Sequence, residues 1–229
     1  MGIVMSRRWV KMAVAVAAAG LAASACGTLQ MGAAATTNNS RISSATLTAQ
    51  VANLNTAYQA DTAKGFKPQR PASQAAQQVL TWLILFKVYD QIASKQGIYV
   101  TQQQAQQQLN SLSSQAASSK ATLAEYVSAA GAVPPDLVPQ LGRYFAILSR
   151  LEGRLDGGKA PTTSAEQSAL EAKVGKEQCY ASRDLGITVN PQYGVWDYRT
   201  YSVVAAQPTL ATKPGPTVSP SPVVTKAPC

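Results

Sequence analysis

The sequence predicts a mainly α-helical domain with a few short β-strands from its N- and C-terminal ends. Apolar residues recur at helical spacing through most of residues 43–185. Three Thr-x-x-Gln/Glu capping boxes, at Thr101, Thr122 and Thr163, mark helix starts. Strand-like stretches occur only near residues 34–42 and 186–204, beside Asn-rich turns.

Ala34, Ala35 and Thr36 read as a strand, Asn38-Asn39 as its turn, and Arg41-Ile42 as the return. A helix then starts at Ser43 or Ser44 and places Leu47, Val51, Leu54 and Tyr58 on one face. Gly65, Pro68 and Pro71 end it. Residues 72–96 form the dominant helix, whose stretch 79–86 is apolar all round. Such a helix is buried at the centre of a fold, or offers one face to a partner.

Thr101 opens a Gln-rich helix in which Ala105, Leu109 and Leu112 interrupt the glutamines at helical spacing, so the glutamines mark a solvated face. Pro134-Pro135 leads into a helix ending near Leu155, with Leu137, Leu141, Tyr144, Phe145, Leu148, Leu151 and Leu155 as its stripe. Gly157-Gly158 stops that helix. A last helix runs from Thr163 to about Leu185. It is followed by a strand at residues 186–189, a turn at Asn190-Pro191, then Trp196-Asp197 and a strand at about residues 201–204.

The ends read differently from the domain. Arg7, Arg8 and Lys11 precede an unbroken apolar and small-residue run at 12–23. At about 1.5 Å per residue that run spans roughly 18 Å, short of the ~30 Å hydrocarbon core, so a cleaved signal is expected over residues 1–25. Ala23-Ser24-Ala25-Cys26-Gly27 resembles a bacterial lipobox, which makes Cys26 the expected lipidation site. A diacyl group there would anchor the chain to the cell membrane on its extracytoplasmic face, each buried CH₂ contributing about 0.8 kcal/mol. Residues 26–33 then form a tether and 34–205 the domain. Residues 206–229, with six of the thirteen prolines, form a Pro-rich tail expected to be disordered.

The exclusions are as informative. The sequence has no histidine, so no Ser-His-Asp or Cys-His unit and no imidazole metal ligand is available. Removing Arg7, Arg8 and Lys11 lowers the formal charge from +9 to +6, and the remaining cations are scattered singly, against a nucleic-acid partner. Gly153 to Lys159 imitates a phosphate-binding loop, but Ala160 replaces the required Ser/Thr and Pro161 follows. Glu152 and Asp156 are four residues apart beside Arg150 and Arg154, a spacing that suits ion pairing. No enzyme, metal or cofactor is expected. Cys179 and Cys229 are expected either to pair in an oxidising exterior or, for Cys179, to serve as a small buried hydrophobe.

Several segments together resemble a known family. Ala34, Asn39-Ser40-Arg41-Ile42-Ser43 opening into a helix is similar to the N-terminal strand–turn–helix of SurA-type chaperones. Lys95-Gln96-Gly97-Ile98-Tyr99-Val100-Thr101 resembles the family's next junction. Gly186-Ile187-Thr188-Val189-Asn190-Pro191-Gln192-Tyr193-Gly194-Val195-Trp196-Asp197 resembles the closing segment of PrsA-like members, with Gln192 in place of their Arg. The resemblance implies a helical chaperone module whose C-terminal helix and strand return to the N-terminal part. Many members insert parvulin isomerase domains before that return. Here residues 157–163 leave only a short loop, and histidine is missing, so the resemblance implies a module without isomerase.

The implied partners are unfolded or secreted polypeptides, held in an apolar groove without catalysis. Trp82, Phe86, Tyr89, Tyr144 and Phe145 are the expected contacts, because aromatic side chains dominate adaptable interfaces. Exposed apolar area on the order of a few hundred Å² is expected at such a site. The alternative is an accessory envelope lipoprotein that docks one folded partner. Full burial of residues 79–86 would favour it.

Overall fold

A computed structural model describes residues 32–206 and Cys229. Six helices carry the fold: α1 (Ser44–Ala63), α2 (Ala75–Gln96), α3 (Gln102–Ser118), α4 (Leu123–Gly131), α5 (Val138–Leu155) and α6 (Ser164–Leu185). Five short strands lie at the ends of the described chain: β1 (Ala33–Thr36), β2 (Arg41–Ser43), β3 (Thr188–Val189), β4 (Val195–Asp197) and β5 (Ser202–Val204). The mainly α architecture with terminal strands is therefore the observed one.

The helix starts are chemically explicit. Ser43 Oγ accepts from Thr46 N at 2.9 Å and starts α1. Thr101, Thr122 and Thr163 each form the full capping box with Gln104, Glu125 and Glu166, satisfying backbone donors that the first turn leaves open. At the other end of α2, Gly97 adopts a left-handed conformation (φ 59°), and Arg154 donates to the carbonyls of Gln96 and Gly97. A cation placed there also suits the negative end of the helix dipole. This corrects the ion pairing expected along α5: Arg154 binds the end of α2, not Glu152 or Asp156.

The C-terminal strand returns to the N-terminal hairpin. β1 lies between β2 and β3, antiparallel to both, with Ala35 opposite Ile42 on one side and Val189 on the other. Ala33, Ala34 and Ala35 are all buried, and their small side chains let helices approach this central strand. β1 takes in Ala33, a residue the sequence placed in the tether. Asn190 fastens the return: its backbone N–H donates to Ala34 O at 2.9 Å and its Nδ2 to Ala33 O at 3.1 Å.

β4 and β5 form a separate hairpin, of which the sequence anticipated only the second strand. Trp196 faces Val203 across the pair and is buried. Gly194 makes the approach possible at φ 129°, since a Cβ there would lie 2.1 Å from Val204 O. Val203 N donates to Thr81 Oγ1 at 2.9 Å, fixing the hairpin to α2.

The core has two parts. The larger collects Leu47 and Leu54 from α1, Val79, Leu80, Ile84, Val88 and Ile92 from α2, Ile147 and Leu151 from α5, and Leu170 and Leu185 from α6. Fully burying one such side chain contributes about 1.5–3 kcal/mol, so α2 is the element the fold depends on most. The smaller part holds Phe86, Val127, Val133, Leu137 and Leu141 beneath α3, α4 and α5. Ile147 and Gly142 complete the inward face of α5. At Gly142 a Cβ would come within 2.7 Å of Leu109 Cγ and 2.9 Å of Ala105 O, so the missing side chain lets α3 lie directly against α5.

Candidate functional site

The five aromatic residues singled out by sequence come together around Tyr144. Successive turns of α2 supply Trp82, Phe86 and Tyr89, and α5 supplies Tyr144 and Phe145. Ring centroids lie 5.7 Å from Tyr144 for Trp82, 6.2 Å for Phe86, 4.4 Å for Tyr89 and 5.0 Å for Phe145. All four pairs are edge-on or tilted, the arrangement in which a ring's positive edge meets another's negative face. Burial pushes the Tyr89 and Tyr144 phenols above their usual range.

The cluster separates two cavities. On the α3–α4 side is a groove of about 240 Å³, with Trp82, Leu112, Tyr126, Val133, Leu141 and Phe145 among its lining residues. Its walls are almost wholly apolar. On the β1–β2 side, between β2, α1, α2 and α5, is a cavity of about 420 Å³ that Phe86, Tyr89 and Tyr144 help line. The expected contacts therefore divide between two sites. Phe86 and Tyr89 are buried, Tyr89 to 2% exposure, and so serve as wall rather than surface.

The broad exposed apolar surface expected from the sequence is replaced by this narrow groove. Among the described residues, Tyr99, Tyr180 and Val195 are the exposed large hydrophobics, and none belongs to the expected set. Within residues 79–86, Val79, Leu80, Ile84 and Phe86 are buried and the others half-buried. The run is apolar all round because it is packed on nearly every side.

Sequence reading missed the groove's opposite wall. Leu112 lies on α3, Tyr126 on α4 and Val133 in the connection after α4, and only the packing of α3 and α4 against α5 brings them together. Helical spacing marks Leu112 as an apolar position of α3 without saying that it lines a cleft, and it singles out neither Tyr126 nor Val133.

Electrostatics hold the groove's frame. Glu125 of α4 is the partner of Lys64 just past α1, and also accepts from the backbone and hydroxyl of its own cap, Thr122. The Lys64 ammonium, with Thr122 second, lowers the Glu125 carboxyl to about 2. Nearby, Ser128 Oγ donates to the buried Asp61 carboxylate at 2.5 Å, a second tie between α1 and α4.

Cys179 and Cys229 are joined by a disulfide, with Cα atoms 5.6 Å apart. Cys26, the signal and nearly all of the Pro-rich tail lie outside the described residues. Among the described residues no group of three or more Cys, Asp or Glu side chains is placed to hold a metal, and no helix is long and apolar enough to cross a membrane.

The family model of the SurA-like N-terminal domain matches residues 5–147. The chain belongs to the SurA-like N-terminal domain family. That domain is a chaperone-type, non-catalytic module, which gives the chain a chaperone-related role toward polypeptides. The match ends within α5, so it takes in every residue of the apolar groove, whereas α6 and the strands after it lie beyond it. No curated protein and no solved structure matches the chain.

Proposed function

We propose that this SurA-like domain is a holdase: it binds apolar side chains of unfolded or secreted polypeptides in the groove between α2, α3, α4 and α5. The observation that carries the reading is the groove itself, with Trp82, Tyr126 and Phe145 as its aromatic walls and few polar atoms. A cleft of this size suits individual side chains of an extended segment. Aromatic walls supply contact area without demanding one ligand geometry, as a chaperone with varied clients requires.

The proposal includes attachment to the outer face of the cell membrane through a diacyl lipid on Cys26. The basic n-region, the apolar run and the small residues before Cys26 support it. It also includes the absence of prolyl-isomerase activity. The complete lack of histidine supports that, as does the short connection from Leu155, where α5 ends, to Ser164, where α6 begins.

A second reading, docking of one folded envelope partner, gains from the burial of Val79, Leu80, Ile84 and Phe86, which leaves a narrow groove rather than a broad apolar face. Binding to a panel of unrelated unfolded clients separates the two. The holdase binds several clients with similar affinity, whereas a docking module binds none of them. Mass spectrometry of the membrane-extracted protein tests the anchor, which requires a lipid-modified N-terminal Cys26.

A further inference from the structure

The second cavity has a different chemistry. Its interior is apolar, with Ile42, Leu83, Phe86, Tyr144 and Ile147. Its rim is cationic: Arg41, Lys87 and Arg143 face a single carboxylate, Asp90. Arg143 Nε donates to Asp90 Oδ1 at 2.9 Å, which neutralises that carboxylate and engages only one of the guanidinium's donor positions. Lys87 is exposed on α2 and has no hydrogen-bond or ion-pair partner among the described residues. The cavity's volume of about 420 Å³ falls within the range of about 300–1,000 Å³ usual for ligand clefts.

We infer that this cavity binds an acidic side chain of the client, next to an apolar residue that enters the aromatic interior. The inference rests on the polypeptide-binding reading and deepens it by naming a class of segment. Charge complementarity selects the occupant. Lys87 adds an uncompensated positive charge to the rim beside the Arg143–Asp90 pair, and the Arg143 guanidinium, with N–H groups still open, binds a carboxylate by charge-assisted hydrogen bonds. A basic segment meets repulsion at the same rim. A purely apolar segment leaves Lys87 without a partner and gains only the interior. The two cavities flank the α2–α5 aromatic cluster, so an extended client with a carboxylate near its apolar residues has a use for both.

The test is a fluorescence-anisotropy titration of the full chain with three short labelled peptides. They share Leu and Phe positions and differ only in a central Glu, Gln or Lys, with both termini blocked. The Glu peptide is expected to bind about fivefold more tightly than its Gln isostere, the scale of a few partly exposed charge contacts, and the Lys peptide more weakly than either. The preference should shrink in high salt. In Lys87→Gln, an exposed change that leaves the core untouched, the Glu-to-Gln ratio should fall towards one. Equal binding of the Glu and Gln peptides, or an unchanged ratio in Lys87→Gln, overturns the inference while leaving the holdase reading in place. If none of the peptides binds, the polypeptide-binding reading fails and this inference with it. Displacement of the Glu peptide by decanoate but not by the unlabelled peptide would assign the cavity to a lipid and also overturn the inference.

Discussion

Trp82 Nε1 donates a hydrogen bond to the carbonyl of Gly131 at 2.8 Å, joining the middle of α2 to the last residue of α4. Both residues line the apolar groove, so one bond sets its width. Trp82→Phe keeps an aromatic wall but leaves that carbonyl without its donor. We expect a stability loss of about 1–2 kcal/mol by urea denaturation, together with weaker client binding. Unchanged stability would mean that this bond does not hold α4 in place.

Gly142 offers a purely steric test. Gly142→Ala directs a methyl group into Leu109 and the Ala105 carbonyl, forcing α3 away from α5 at a cost of about 1–3 kcal/mol. Because Leu112 rides on α3, the groove should widen as stability falls. Thermal unfolding monitored by circular dichroism reads the first effect and client affinity the second. An unaltered midpoint would contradict the close helix contact.

The Lys64–Glu125 pair makes an acid-side prediction. The folded Glu125 carboxyl, at about 2, lies below its ordinary value near 4.5. A depressed carboxylate contributes stability above the unfolded value and loses it as pH falls through the folded value. The tie between α1 and α4 should therefore be intact at pH 5 and above and weaken progressively from about pH 4.5 to about 2. In Lys64→Met, the largest cause of the shift is gone, so the Glu125 carboxyl should titrate nearer its ordinary value by NMR. A titration identical to that of the unsubstituted chain would refute the assignment.

The Cys179–Cys229 disulfide predicts that neither thiol reacts under denaturing, non-reducing conditions. The two cysteines are 50 residues apart in sequence, so reduction removes a cross-link worth up to about 4 kcal/mol. The melting temperature should drop on adding a reductant, and Cys179→Ala should no longer respond to it. Two reactive thiols in the untreated denatured chain would rule out the bond.

What the sequence disclosed follows the range of the interactions involved. The capping boxes at Thr101, Thr122 and Thr163 were legible because hydroxyl and carboxyl or amide lie within a single turn. The dominance of α2 was legible from the density of apolar residues at 79–86. Arg154 was misread because its acceptors, the carbonyls of Gln96 and Gly97, are brought to it only by tertiary packing, while Glu152 and Asp156 are near in sequence. β4 was missed because three residues show no usable alternation, and its stability comes from pairing with β5, whose Val203 is held by Thr81 of α2. The aromatic set was visible as an inventory, but its division between two cavities depends on how α2 and α5 are turned toward each other.

The central claim, polypeptide binding in the apolar groove, is tested most directly by light scattering from a chemically denatured client diluted into the full-length protein. The account predicts that stoichiometric protein suppresses aggregation, and that Phe145→Ser, a change at the half-buried groove wall, loses most of that suppression while its circular dichroism remains helical. Client aggregation that proceeds at the same rate with and without an excess of the protein would contradict it.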